Sequence, residues 1–285
     1  MTGAPVPPGA DAVVPVEATD AGTVTVAIHA PAALGAHVRR AAEDVRTGDL
    51  VLASGVLLGP SQVAAAVAAG RDAVLAVPRP RVAVLATGSE LVPAGRVDLA
   101  RGQVHDSNSP LLAAAVRSAG GEARLLGAVG DDPVALRALL AEIDGAVDLV
   151  VTSGGVSMGA WDVVKEALAG RGVDFVTVAM QPGKPQGLGR LPGGTPLLAL
   201  PGNPVSAFVS FEMFVRPAIA RLRGLPAATR PTEEAVVAEG WRTPPGRDQV
   251  MPVEVLEPAP GDPRPRVRPA GPGGSGSPIN SPSRS

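Results

Sequence analysis

Residues 147–162 read VDLVVTSGGVSMGAWD. After Val147-Asp148 comes the apolar run Leu149-Val150-Val151, closed by Thr-Ser, the pattern of a strand buried on both faces. A glycine-rich loop follows, and then a short helix over 161–169. A strand that ends in a glycine loop and hands over to a helix is the repeating unit of a parallel α/β sheet. The loop also contains Gly155-Val156-Ser157-Met158-Gly159, a formal G-x-S-x-G, which in serine hydrolases presents the nucleophile on a tight turn. That fold needs a histidine after the nucleophile. The three histidines, His29, His37 and His105, all precede Ser157. The glycines therefore point to backbone geometry around a ligand, with Ser157 a hydrogen-bond donor rather than a nucleophile.

The same alternation extends to both sides. RVAVLAT (81–87), EARLLGAVG (122–130), 174–179 and 195–200 read as strands. Helices are expected after Ser109-Pro110, Asp132-Pro133 and Asn203-Pro204, the last of them the longest, to about Arg223. In each pair the polar residue caps the orphan N–H groups, and the proline takes the first helical position, where an N–H is dispensable. The fold class is α/β: a three-layer central domain with a mostly parallel sheet, flanked by partial β-rich regions. Before it, Ala12–Val16 and Thr23–Ile28 read as strands, and Ser61 as the cap of a short helix over 61–69. After it, 232–256 returns to short strands, and the end of PAPGDPRPRVRPAGPGGSGSPINSPSRS is disordered on composition.

Composition narrows the functional classes. The chain of 285 residues is 45% hydrophobic and 2% aromatic, so its core is Val, Leu and Ala. A net charge of −2 with no basic block argues against nucleic acid. Without cysteine there is no disulfide, thiolate metal site or Cys nucleophile. The N-terminus has no basic n-region and no apolar run reaches about 18 residues, which reads as a cytoplasmic protein with no membrane span.

In an open α/β sheet, ligands bind beyond the C-terminal ends of the strands. Five special loops are expected there: TGSEL, GDDP, GGVSMGAWD, MQPGKPQG and PGNPVS. Gly183-Lys184 is not a P-loop, because the first glycine would be Val178 and Pro185 follows the lysine. Lys184, one of only two lysines, is the candidate cation for a phosphate. Asp132 is accounted for as a helix cap. Glu90, Asp131 and Asp162 are not, and carboxylates beside anion-binding loops suit Mg²⁺.

In this order, MTGAPVPPGADAVV, AAEDVRTGD, ATGSEL, DSN, GDDP, SGGVSMG, PGKPQG and LPGNPVSA resemble the sequence blocks of the molybdopterin molybdenumtransferase family, the MoeA and gephyrin E-domain group. The resemblance implies a Mg²⁺-dependent reaction of adenylated molybdopterin with molybdate, giving molybdenum cofactor and AMP. It implies a homodimer with transient contacts to other cofactor-biosynthesis proteins. The domains would be 1–38, a remainder of an N-terminal β domain; 39–78, a linker or dimerisation region; 79–225, the molybdopterin-binding domain; and 226–285, an incomplete terminal β domain.

Carried over by motif, the catalytic group is Glu90, Asp131, Asp162 and Lys184, with the three acids also holding the metal. Substrate binding falls to Thr2, Thr87, Gly88, Ser89, Ser153, Gly154, Gly155, Ser157, Gly183, Pro185, Pro201, Gly202, Asn203, Pro204, Ser206, Arg247 and Ser275. Lysines that some relatives carry before the PGKP turn are replaced here by Thr177 and Gln181. Two alternatives share the α/β domain: an enzyme of the competence-damage-protein type, and a non-catalytic pterin-binding scaffold. The resemblance further implies that MTGAPVP is an internal segment, that upstream strands and an acidic site residue lie before it in relatives, and that the last strands are missing. On that reading residues 232–256 lack partners and the chain as written is weakly active or inactive.

Overall fold

The computed structural model describes residues 3–156, 162–226 and 230–270. The chain divides into two units, Met1–Leu75 and Ala76–Ser285.

The second unit is built on a six-stranded sheet. In chain order its elements begin with β1 (Arg81–Thr87), β2 (Leu91–Val92), β3 (Val104–His105), α2 (Asn108–Ser118) and β4 (Glu122–Val129). The first unit's helix, Pro60–Ala68, is α1. There follow α3 (Pro133–Ile143), β5 (Leu149–Ser153), α4 (Val163–Leu168), β6 (Val173–Thr177), β7 (Met180–Gln181), β8 (Pro185–Arg190) and β9 (Pro196–Leu200). The sheet order is β4-β1-β5-β9-β8-β6. The first four strands are mutually parallel, and β8 runs antiparallel to both β9 and β6.

Alternation along each strand sends side chains to opposite faces. Val82 and Val84 of β1, with Leu149 and Val151 of β5, pack against Leu112 and Val116 of α2 and against Phe211, Val215 and Ile219. Ala83, Leu85 and Val150 pack against Leu136, Leu140 and Ile143 of α3 and against Val164 and Ala167 of α4. Helices on both faces complete the three layers.

Asp132 and Asn203 cap as the sequence predicts, each accepting two backbone N–H groups of the following turn. Ser109 does not. Helix α2 starts two residues earlier than expected, at Asn108, and Asp106 Oδ1 accepts the Ser109 N–H at 3.0 Å. The strand expected over 174–179 is β6, and β8 is an additional strand in what reads as loop. Gly187 and Gly189 make β8 possible, because a Cβ at either would overlap Phe175, or Gly172 and Val173.

The helix opened by Asn203-Pro204 runs as α5 (Pro204–Ser210), a π turn (Phe211–Val215) and α6 (Arg216–Leu222). The wider turn lies just before Pro217, which lacks an N–H and would collide with the carbonyl four residues back in an unbroken α-helix. Glu212 in this turn accepts hydrogen bonds from Arg216 Nε at 2.6 Å and Arg230 Nε at 2.9 Å. The Arg216 bond, outweighing partial burial and aided by Arg230, lowers the Glu212 pKa from 4.5 to about 2. A depressed carboxylate stabilises the fold above its unfolded pKa, and that contribution is lost as pH falls through the folded value. Glu212→Gln is therefore expected to flatten the urea midpoint between about pH 4.5 and 2, removing a stability change on the order of 2–3 kcal/mol seen in the unsubstituted chain.

Two expectations are corrected. Residues 12–16 and 23–28 form no ladder; a 3₁₀ turn (Val16–Ala18) and a single Thr19–Ile28 bridge stand there instead. Val13, Val16, Val24, Val26 and Ile28 are exposed, so these segments find no sheet among the described residues, and β-propensity alone does not hold a strand. The helix over 61–69 begins at Pro60, and Gln62 rather than Ser61 accepts the Gly59 N–H.

Conversely, the 232–256 region does find partners. β10 (Val236–Val237) and β12 (Val253–Leu256) flank β13 (Arg266–Pro269), while β11 (Asp248–Gln249) pairs with β7. The tail from Gly271 lies outside the described residues. No helix among those residues is long and apolar enough to cross a membrane.

Candidate functional site

Strand order reverses direction between β1 and β5: the chain leaves β1 for β4 on one side and returns to β5 on the other. Such a switch point opens a crevice at the C-terminal strand ends. A cleft of about 490 Å³ lies there. Because β6 is parallel to β9 and β8 returns, the 178–184 turn reaches the same edge as the loops after β1, β4, β5 and β9.

All five loops reach the cleft. Its lining includes Thr87, Gly88 and Glu90 from the first; Asp131 from the second; Ser153, Gly154, Gly155 and Asp162 from the third; Pro185 from the fourth; and Pro201, Gly202, Asn203 and Ser206 from the fifth. Leu91, Asn108 and Val156 complete it. Among the other candidates, Ser89, Gly183, Lys184, Pro204 and Arg247 do not line it. Thr2, Ser157 and Ser275 lie outside the described residues.

The candidates off the lining hold it in shape. Ser89 and Asp131 exchange two hydrogen bonds, Ser89 N–H to Asp131 Oδ2 and Asp131 N–H to Ser89 Oγ, both at 3.0 Å. One carboxylate oxygen of Asp131 is thereby committed to the first loop. The Glu90 carboxylate folds back over Gly88, where a Cβ would overlap it. Pro204 starts α5 below its Asn203 cap. Gly183 is buried, with Ser210 Oγ in the space a Cβ would take. Gln186 Nε2 donates to Gly183 O at 2.7 Å and to Ser210 Oγ at 2.6 Å, fixing the turn to the long helix. Lys184 is exposed, and its carbonyl accepts the Val178 N–H at 2.8 Å. Arg247 Nη1 reaches Gln181 Oε1 at 3.3 Å, alongside the β11–β7 pairing.

Gly154 has φ +96°, and a Cβ there would sit 2.6 Å from Thr87 O and 2.9 Å from Thr87 Oγ1. Its N–H is donated to Leu200 O at 3.0 Å. Gly154 therefore supplies close approach between strand ends rather than a donor for a ligand. Glu90, Asp131 and Asp162 share the cleft, yet among the described residues no three acidic or histidine groups gather closely enough to hold a metal ion. Their all-oxygen chemistry suits Mg²⁺, which ordinarily takes one or two carboxylates and completes its shell with phosphate and water.

The residue that sequence reasoning misses is Asn108. It sits inside the DSN block, but a helix expected to open at Ser109 leaves Asn108 as ordinary loop. Its Nδ2 donates to Ser153 Oγ at 2.7 Å and Gly202 O at 2.6 Å. No spacing signal marks those partners, which lie 45 and 94 residues away.

A three-layer α/β domain with its cleft at a switch point is the architecture of a doubly wound ligand-binding domain, and residues 83–221 match the family model described as a probable molybdopterin binding domain. Residues 1–70 match the MoeA N-terminal region, domains I and II. The chain belongs to the MoeA family of molybdopterin molybdenumtransferases. It is 48% identical over 256 residues to molybdopterin molybdenumtransferase 2 of Mycobacterium tuberculosis, covering 87% of this chain and 63% of that protein. To molybdopterin molybdenumtransferase 1 of the same organism it is 44% identical over 221 residues, covering 77% and 52%. The crystal structure of the molybdopterin biosynthesis MoeA protein from Pyrococcus horikoshii superposes with a TM-score of 0.67 at 31% identity, covering 90% of this chain and 62% of that one. The chain thus spans between about half and a little under two thirds of the length of these relatives.

Proposed function

We propose that the cleft binds adenylated molybdopterin and molybdate and releases molybdenum cofactor and AMP. The observation that carries this reading is the convergence of five loops on one crevice at the switch point, within a domain that matches a molybdopterin-binding family model. The MoeA N-terminal match over residues 1–70 favours it over an enzyme that shares only the α/β domain.

In this reading the glycine loops after β5 and β9 cradle the phosphate-bearing part of the pterin, and the Asn203 end of α5 favours its negative charge. Asp131, Glu90 and Asp162 are the carboxylates from which Mg²⁺ would take its one or two protein ligands, and the ion would supply positive charge to offset that of the phosphate. Ser89 keeps the Asp131 carboxylate aimed from the first loop. The working protein on this reading is a cytoplasmic homodimer, and light scattering on the purified chain measures its oligomeric state.

The deciding experiment is AMP release from the adenylated pterin with and without molybdate. Release that depends on molybdate and Mg²⁺ supports the reading; release indifferent to molybdate overturns it. Lys184 borders the cleft without lining it. Lys184→Ala is expected to weaken binding of the adenylated pterin by about 1.5–3 kcal/mol, the worth of a hydrogen bond to a charged group. Isothermal titration measures this, and unchanged affinity removes Lys184 from the site while leaving the cleft itself in place.

A further inference from the structure

We propose that Asn108 is a positioning residue that sets the gap between the two glycine turns of the cleft, acting through Ser153 and Gly202; this rests on the pterin-binding reading above. Asn108 opens α2 and is 9% exposed. Its amide is not spent on its own helix, because Asp106 already accepts the Ser109 N–H. Both Nδ2 protons go to the cleft walls instead. One reaches Ser153 Oγ at the end of β5, and the other reaches Gly202 O in the loop after β9. Ser153 Oγ in turn approaches Pro201 O at 3.4 Å, which closes a ring across both turns. The turns also touch directly, since a Cβ on Gly202 would lie 3.3 Å from Gly154 Cα.

The remaining atom of the amide makes the arrangement informative. Asn108 Oδ1 is buried without a hydrogen-bond partner. Leaving an acceptor unpaired is unfavourable, so an apolar side chain would fill this place at lower cost if only packing mattered. The amide's two donations are what such a side chain could not supply. Backbone pairing of Gly154 N–H to Leu200 O survives without Asn108, so its removal loosens the gap and leaves the sheet intact.

The test titrates adenylated molybdopterin into the full chain and into Asn108→Ala, with Leu112→Ala as a comparison. Leu112 is fully buried one turn along α2 and does not line the cleft, so it reports loss of packing alone. Asn108→Ala is expected to raise Kd about tenfold, while Leu112→Ala lowers Tm and leaves Kd unchanged. Adding Ser153→Ala to Asn108→Ala is expected to weaken binding by less than the product of the two single effects, because both remove one linkage. If Asn108→Ala does not fold, Asn108→Asp keeps the outline while replacing the donors, and the same rise in Kd is expected. Pterin binding by the unsubstituted chain with equal Kd in the Asn108 variants, or with strictly multiplicative effects, overturns the positioning role. No binding by the unsubstituted chain overturns the pterin reading itself.

Discussion

Gly154→Ala is expected to destabilise the second unit by about 3 kcal/mol and to abolish ligand binding. Two costs add. The backbone at φ +96° is one that a Cβ tolerates poorly, at about 1–2 kcal/mol. The added methyl also meets a backbone carbonyl, Thr87 O, which cannot swing aside as a side chain could, and overpacking of this kind costs about 1–3 kcal/mol. Gly145→Ala separates the two. Gly145 has φ +77°, and a methyl added there would meet nothing within 4 Å, so only the conformational cost of about 1 kcal/mol applies. Urea unfolding of both variants gives the difference. Equal losses would mean that β5 does not approach Thr87 as closely as the structure places it.

On the proposed function, Asp131→Asn is expected to leave stability within about 0.5 kcal/mol and to reduce Mg²⁺-dependent AMP release about a hundredfold at limiting Mg²⁺. The substitution is a clean probe because of the bond to Ser89. An amide can turn its carbonyl oxygen toward the Ser89 N–H and keep the loop in place. What it loses is the carboxylate charge beside the cleft, and with it the attraction for a divalent cation. Steady-state release across a Mg²⁺ series measures the effect. Wild-type rates at limiting Mg²⁺ would remove Asp131 from the metal site.

The centre of the sheet is legible in the sequence because β1 and β5 are buried on both faces. VAVLA at 82–86 and LVV at 149–151 admit few other readings, and Asp132 and Asn203 carry the cap-then-proline signature into real caps. What stays hidden depends on partners distant in sequence. β8 reads as loop because Pro185, Gly187 and Gly189 are poor strand residues; Phe175 on the neighbouring strand and Gly172 just before it make glycine suitable. Val24 and Ile28 have strand propensity without a ladder to join. Residues 253–256 look unpartnered until Arg266–Pro269 folds back beside them, from a proline-rich stretch that gives no strand pattern. The cleft is readable as a set of loops, since each follows a recognisable strand. Asn108 is not, because its role is set by two acceptors that only the fold brings to it.

The place of β9 in the sheet has a consequence in time. β9 is the last of the six strands in sequence, yet it lies between β5 and β8 rather than at an edge. As the chain leaves the ribosome, β1, β4 and β5 can assemble and β6 can pair with β8, but nothing joins the two groups until residues 196–200 arrive. Until then each group presents an open strand edge facing the other, the condition under which nascent domains pair wrongly or associate. Closure then forms the long-range contacts in one late step, which favours slow, cooperative folding. The same step delivers Pro201, Gly202 and Asn203, so the cleft is completed at the moment the sheet is.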